Sequence, residues 1–303
     1  MGTLTEIQGL LVGHYTDDAA QTGCTAILCP GGAVAGVDVR GSAPGTRETD
    51  LLRGYNVVER VHAILLSGGS AYGLDSASGA MQYLEETGSG FDAGVSLVPI
   101  VPAAVIFDLD VGDPRVRPGK REGYAACQNA TAAPVQTGRV GAGRGATVGK
   151  AFGPQYALPG GVGSSCIHLQ NGIKVAALVV VNAMGDIYDP TTGALLAAAH
   201  IEGKLTPCLH SPALGRAGFG NTTIGVVATN ARLTREEANK LASMGHDGMA
   251  LSIRPVHTNL DGDTLFALST GEAQADLLPI LVAGAEAVSR AVMGAVRPDL
   301  YPA

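Results

Sequence analysis

The chain has 303 residues, a formal net charge of −7, 46% hydrophobic and 16% charged residues, 43 glycines and no tryptophan. This composition is that of a globular protein able to bury a large core, and it excludes a disordered chain. The acidic balance, with no run of Lys/Arg and no basic stripe, argues against a nucleic-acid partner.

Short apolar runs alternate with Gly-rich turns along the whole chain. They predict strands over 9–12, 24–28, 34–39, 62–66, 95–100, 175–181, 222–229 and 264–269. Pro99 and Pro102 demote the fifth of these to an edge or a loop. A first helix is predicted over 72–86, where Leu74, Ala77, Met81 and Leu84 share a face. A second spans 236–249 behind Thr234 and Glu237, which have capping-box spacing. A third, rich in alanine, spans 273–296 with Pro279 near its first turns. Length alone suits two domains or one large one. No linker, repeat or low-complexity run divides the chain, although PGGVGSS at 159–165 is its most Gly-rich break. So many short strands with short turns do not fit a plain βαβ sheet, and an α+β fold of sheets covered by helices is predicted.

Targeting signals and metal motifs are missing from the pattern. The N-terminus lacks the basic and apolar regions of a signal peptide, and Glu6 spoils a myristoylation motif. No apolar run of membrane-spanning length is apparent, so a cytoplasmic protein with no membrane partner is expected. The five cysteines (Cys24, Cys29, Cys127, Cys166 and Cys208) form no CxxC and read as core thiols of a reducing compartment. The seven histidines have no metal-ligand spacing, so neither metal nor cofactor is expected.

Four segments have chemistry to offer. Gly149-Lys150 resembles the end of a phosphate loop, but Arg144 stands where glycine is required and Ala151 where a hydroxyl is required, so no nucleotide site is expected. Lys150 still closes a Gly/Ala loop that can approach a site. Gly68, Gly69 and Ser70 join a strand to a helix. They read either as a tight turn or as backbone N–H groups able to stabilise an anion. Asp261-Gly262-Asp263 reads as a turn opening a strand, or as two carboxylates on one side of it that hold an amine or relay a proton. Gly220-Asn221-Thr222-Thr223 puts two hydroxyls at the head of an apolar strand. Thr is a weak nucleophile without an adjacent base. Cleavage of Asn221–Thr222 would supply one, because the freed α-amine of Thr222 can take the hydroxyl proton.

Several segments together resemble the bacterial aminopeptidase/D-amidase family, which includes β-peptidyl aminopeptidases and endo-type nylon-6-oligomer hydrolases. They are GLLVGHYTD, GAVAGVDVRGSAPGTRETDLL, HAILLSGGSAYGLD, PAAVIFDL, GDPRVRPG, VVVNAMGDI, GNTTIGVVATNARLT and VHTNLDGDTLFALST. The resemblance runs over nearly the whole chain. It implies a four-layer α-β-β-α sandwich and one catalytic domain over 1–303, self-cleaved into 1–221 and 222–303. It also implies a nucleophile at Thr222, with Lys150 favouring its deprotonated form. Asn182 would donate to the oxyanion, and Asp261 and Asp263 would orient the new α-ammonium and shuttle protons. Gly68–Ser70 would add a backbone oxyanion donor. Phe107 stands where the nylon-oligomer hydrolases have Tyr, which makes it a candidate substrate contact. The Ser-nucleophile aminopeptidases have a Ser/Glu pair in place of Asp261/Asp263, so this chain sides with the Thr branch.

The function so implied is hydrolysis of small linear amides (short peptides, β-peptides or 6-aminohexanoate oligomers) by a homo-oligomer, a tetramer by resemblance. Three alternatives remain: an aminopeptidase acting only from the amino end, an acyltransferase of the ornithine-acetyltransferase type, and a scaffold without catalysis.

Overall fold

In the computed structural model, which describes residues 2–212, 220–297 and 299, helices cover two layers of sheet. The principal strands are β1 (Leu11–Asp17), β2 (Thr22–Val39), β3 (Arg60–Ser67), β4 (Ala103–Val105), β5 (Gly161–His168), β6 (Lys174–Asn182), β7 (Thr222–Ala231) and β8 (Thr264–Ala273). The helices are α1 (Ser76–Glu86), α2 (Lys120–Gln128), α3 (Arg235–Ser252) and α4 (Leu277–Val296). The sheet order is β5-β6-β7-β8-β2-β3-β4, closed by the short strand Thr46–Arg47, with β1 also on β2. The β7–β8 and β3–β4 pairs are parallel, and the other pairs among these strands are antiparallel.

β2 belongs to both layers. Its residues 22–28 pair with β1, residues 34–39 pair with β8, and its register against β3 shifts between Leu28 and Ala33. Strand alternation then separates three cores. Val175, Ala177, Val179 and Val181 of β6 face α3 and α4, together with Leu265 and Ala267 of β8. Ala176, Leu178 and Val180 face the opposite way, into an inter-sheet core shared with Ile224, Val226, Phe266, Ile27 and Ile64. Cys24, Ala26, Leu28, Ala63 and Leu65 pack on α1 and α2. The result is the four-layer α-β-β-α arrangement implied by the resemblance.

The predicted elements hold at the centre and fail at the margins. The strands expected at 24–28 and 34–39 are one bent strand, β2, and the one expected at 9–12 begins at Leu11. Of 95–100, only Leu97–Val98 is a strand, paired with Phe91–Asp92. The helix expected from 72 begins as a 3-10 turn at Ser70–Asp75 and becomes α-helical at Ser76. The helix expected from 273 starts at Leu277, because β8 continues through Ala273. That helix also corrects the membrane reading: it is long and apolar enough, by length and composition, to cross a membrane. It packs instead on α3, β5 and β6. All five cysteines are free thiols, and burial pushes those of Cys29, Cys127 and Cys208 up to about 12.

The capping box is present. Thr234 Oγ1 accepts the Glu237 N–H at 3.2 Å, and Glu237 Oε2 accepts the Thr234 N–H at 2.8 Å. Thr234→Ala is expected to lower unfolding free energy by about 1 kcal/mol. The midpoint of a urea titration measures this.

Candidate active site

Thr222 opens β7, and the two-residue period of the strand decides which of the two hydroxyls is usable. Thr222 shares its face with Ile224 and Val226 and lines a cavity between the sheets. Thr223 points to the other face, where its Oγ1 is buried without a hydrogen-bond partner among the described residues. The ladder sets Thr222 opposite Asn182, the last residue of β6. On its parallel side, Asn221 bridges to Asp261, just ahead of β8. Three sequence-distant motifs thus meet at one end of three adjacent strands.

Asn182 is fully buried, and both ends of its amide are used. Nδ2 donates to the carbonyls of Phe107 (2.9 Å) and Gly220 (3.1 Å), while Oδ1 accepts from Thr147 N (3.0 Å) and Lys150 Nζ (2.8 Å). Lys150 is aimed by Gly149, whose φ of +71° and closeness to Ala198 leave no room for a Cβ. Its ammonium donates to Asn182 O (3.1 Å), Asn182 Oδ1 and Gly220 O (3.1 Å). Burial pulls its pKa down to about 7, against the opposing charges of Asp110, Asp261 and Asp108. In the continuous chain, then, the donors of Lys150 serve Asn182 and Gly220 rather than the Thr222 hydroxyl.

The turn before β8 supplies the carboxylates. Asp263 Oδ1 accepts the Thr223 N–H at 2.6 Å, and its Oδ2 accepts the backbone N–H of His257 at 3.0 Å and pairs with His257 Nδ1 at 2.8 Å. Asp261 Oδ2 accepts from the N–H (2.7 Å) and hydroxyl (2.6 Å) of Thr258. Burial and the neighbouring Asp263 raise the Asp261 carboxyl above its ordinary range. Between the two, the Gly262 N–H donates to the carbonyl oxygen of Asn221 at 2.9 Å. The Thr222 hydroxyl also donates to that oxygen. A Cβ on Gly262 would lie 2.7 Å from Ala43 O and 3.0 Å from Thr222 Oγ1, so only glycine lets the turn come this close.

The Gly68–Ser70 loop departs from expectation. Its three N–H groups donate to Gly23 O (2.9 Å), Asp108 Oδ1 (2.7 Å) and Ile106 O (2.9 Å), so none is aimed at Thr222. Ser70 contributes to the cavity wall instead. Asp108, buried and raised in pKa by that burial, holds the loop and also accepts from Thr22 Oγ1 at 2.7 Å. Phe107 lines the cavity as well, with its ring against Gly220, where a Cβ would come within 2.8 Å of it.

Asp108, His257, Thr258 and Gly262 were not assigned from sequence. The string VHTNLDGD held the signal for three of them, since a polar residue just ahead of a carboxylate pair in one tight turn can cap it. The cavity, about 230 Å³, is otherwise walled by Ala43, Pro44, Gly45, Ala71, Val105, Ile106 and Leu260. A hollow of about 410 Å³ beside Gln82, Lys120, Arg121 and Tyr124 carries no such constellation. Glu6, Cys166 and His168 approach one another on the surface, but Glu6 Oε2 is taken by His168 Nε2 (2.6 Å) and Lys174 Nζ (3.1 Å). The Lys174 ammonium already supplies the positive charge there.

Asn182→Asp keeps the acceptor for Thr147 N and Lys150 while removing the Nδ2 donor. The new carboxylate oxygen faces the carbonyls of Phe107 and Gly220 in a fully buried position, so the melting temperature is expected to fall, as a thermal melt measures.

The profile of peptidase family S58 matches residues 2–298. An uncharacterized aminopeptidase of Mycobacterium leprae is 46% identical over 297 residues, covering 91% of this chain and 80% of that protein. A 6-aminohexanoate-oligomer endohydrolase of Kocuria sp. is 31% identical over 305 residues, covering 97% and 82%. Among solved structures, a β-aminopeptidase of Burkholderia sp. superposes with a TM-score of 0.74 at 20% identity, over 97% of this chain and 86% of that one. The L-aminopeptidase D-Ala-esterase/amidase of Ochrobactrum anthropi, described as a variant of the Ntn hydrolase fold, gives 0.74 at 18% identity, over 97% and 85%. These two likenesses speak to the fold. The match along nearly the whole sequence says more: this chain is an amide-bond hydrolase and belongs to peptidase family S58.

Proposed function

We propose that the protein activates itself by cutting Asn221–Thr222 and then hydrolyses small linear amides through an ester on Thr222. The observation that carries this reading is the Asn221 carbonyl. Its oxygen is held by the Gly262 N–H, with the Thr222 hydroxyl against it. A carbonyl polarised by a fixed N–H, beside a hydroxyl, is set up for attack at its carbon.

In the first step Thr222 Oγ bonds to the Asn221 carbonyl carbon and the C–N bond to Thr222 breaks. The hydroxyl proton passes to the departing nitrogen, which becomes the α-amine. Water then cleaves the ester, leaving a carboxylate on Asn221 and the hydroxyl on Thr222. Asp261 and Asp263 hold the new α-ammonium and take its extra proton, which leaves the amine's lone pair free. With the end of 1–221 withdrawn, Lys150 and Asn182 turn from Gly220 O to the oxyanion of a substrate. The α-amine acts as general base for attack on the substrate amide and hands the proton to the leaving amine. Water regenerates Thr222. The relatives named as aminopeptidases and as 6-aminohexanoate-oligomer endohydrolases support short peptides, β-peptides or nylon-6 oligomers as the substrate class.

Intact mass under denaturing conditions tests the proposal. Two species, 1–221 and 222–303, are expected, and substrate should add an acyl mass to the second alone. One unbroken chain after prolonged incubation overturns it.

A further inference from the structure

We infer that the cavity beside Thr222 takes an uncharged, apolar acyl group, so that this enzyme prefers amides with no ammonium on the carbon next to the scissile carbonyl. It is then a poor trimmer of free amino termini. The inference rests on the proposed hydrolysis at Thr222 and adds the chemistry of the acyl half.

Pro44, Ala71, Val105, Ile106, Phe107 and Leu260 form the apolar wall, and among the described residues no charged side chain lines the cavity. The nearby carboxylates are turned to other work. Asp108 Oδ1 and Oδ2 hold Gly69 N and Thr22 Oγ1, and Asp263 holds Thr223 N and His257. Asp261 accepts twice from Thr258. Asp110 is exposed and outside the lining. Residues 213–219, ALGRAGF, contain no acid in sequence. The fixed cation Lys150 lies under the site and repels a second one. A substrate α-ammonium would therefore lose its water without gaining a counter-ion, which is unfavourable. A methylene gains by the same transfer, by about fourfold in kcat/KM for each one buried.

The test compares two anilides of equal chain length on the full-length protein: hexanoyl-p-nitroanilide and 2-aminohexanoyl-p-nitroanilide. At pH 6, where the α-amine is charged, the hexanoyl compound is expected to have at least tenfold higher kcat/KM. The ratio should shrink at pH 9, where that amine is neutral, whatever the enzyme's own pH profile. Ala71→Glu, at an exposed point of the rim, should move the pH 6 ratio at least tenfold toward the amino compound. Equal or better turnover of the amino compound at pH 6 overturns the inference. So does failure of both anilides with a chain that has cut itself at Asn221–Thr222. A chain that neither cuts itself nor gains an acyl mass removes the underlying reading and this one with it.

Discussion

Replacing Thr222 by alanine is expected to leave one unbroken chain of 30.6 kDa and to lower amide turnover by about a million-fold. On the proposed mechanism the nucleophile and, after cleavage, its own base both reside in that residue, so one substitution removes both. The fold should persist, because Thr222 contributes a side chain to a cavity wall rather than to a packed core. Thr222→Ser retains the hydroxyl and should still cut. Thr223→Ala is the sharper control. Its hydroxyl faces away and bonds to nothing among the described residues, while its N–H, which Asp263 needs, survives the change. It should therefore cut at the wild-type rate. Denaturing mass spectrometry of the four proteins gives the answer, and cleavage of Thr222→Ala with an intact site would end the argument for this nucleophile.

Lys150→Met is expected to slow self-cleavage about a thousand-fold and to remove the alkaline limb of its pH profile. The three contacts of Nζ use every donor an ammonium has. Since burial brings the pKa to about 7, the cation is present below that pH and lost above it, so the rate falls as pH rises through 7. Wild type should thus lose rate as pH rises through 7, and the Met variant should not. Timed cleavage of freshly synthesised chain from pH 5 to 9 measures both. An alkaline limb that survives the substitution assigns that titration to another group.

How far the sequence could be read depended on whether a residue's role was local. β6, β7 and β8 stand out because their apolar runs answer to burial alone. β5 was hidden: GVGSS looks like a break, yet Gly163 is small because the Ala291 carbonyl of α4 lies where its Cβ would be. The need for glycine there comes from a partner more than a hundred residues away. α2, with the sequence KREGYAACQ, is too polar to announce itself and is fixed by packing on α1 and β2. The same division runs through the site. Thr222, Asn182 and the Asp pair sit at strand ends and were legible with the resemblance. The engagement of the Gly68–Ser70 amides, the acceptors chosen by Lys150, and the roles of Gly262 and His257 all depend on which strands become neighbours. No spacing within one segment encodes that.

The position of β7 and β8 has a consequence for the order of events. They lie in mid-sheet, between β6 on one side and β2 on the other, so both neighbours come from the stretch before residue 221. Gly262 reaches the Asn221 carbonyl only when that ladder is complete and in register, and a slip of one residue would present Thr223 in place of Thr222. On the proposed mechanism, cutting works as a proofreading step, in which only a correctly threaded chain acquires its nucleophile. Halves severed there would stay interleaved in one sheet, so native mass should rise by no more than one water when the bond between them is gone.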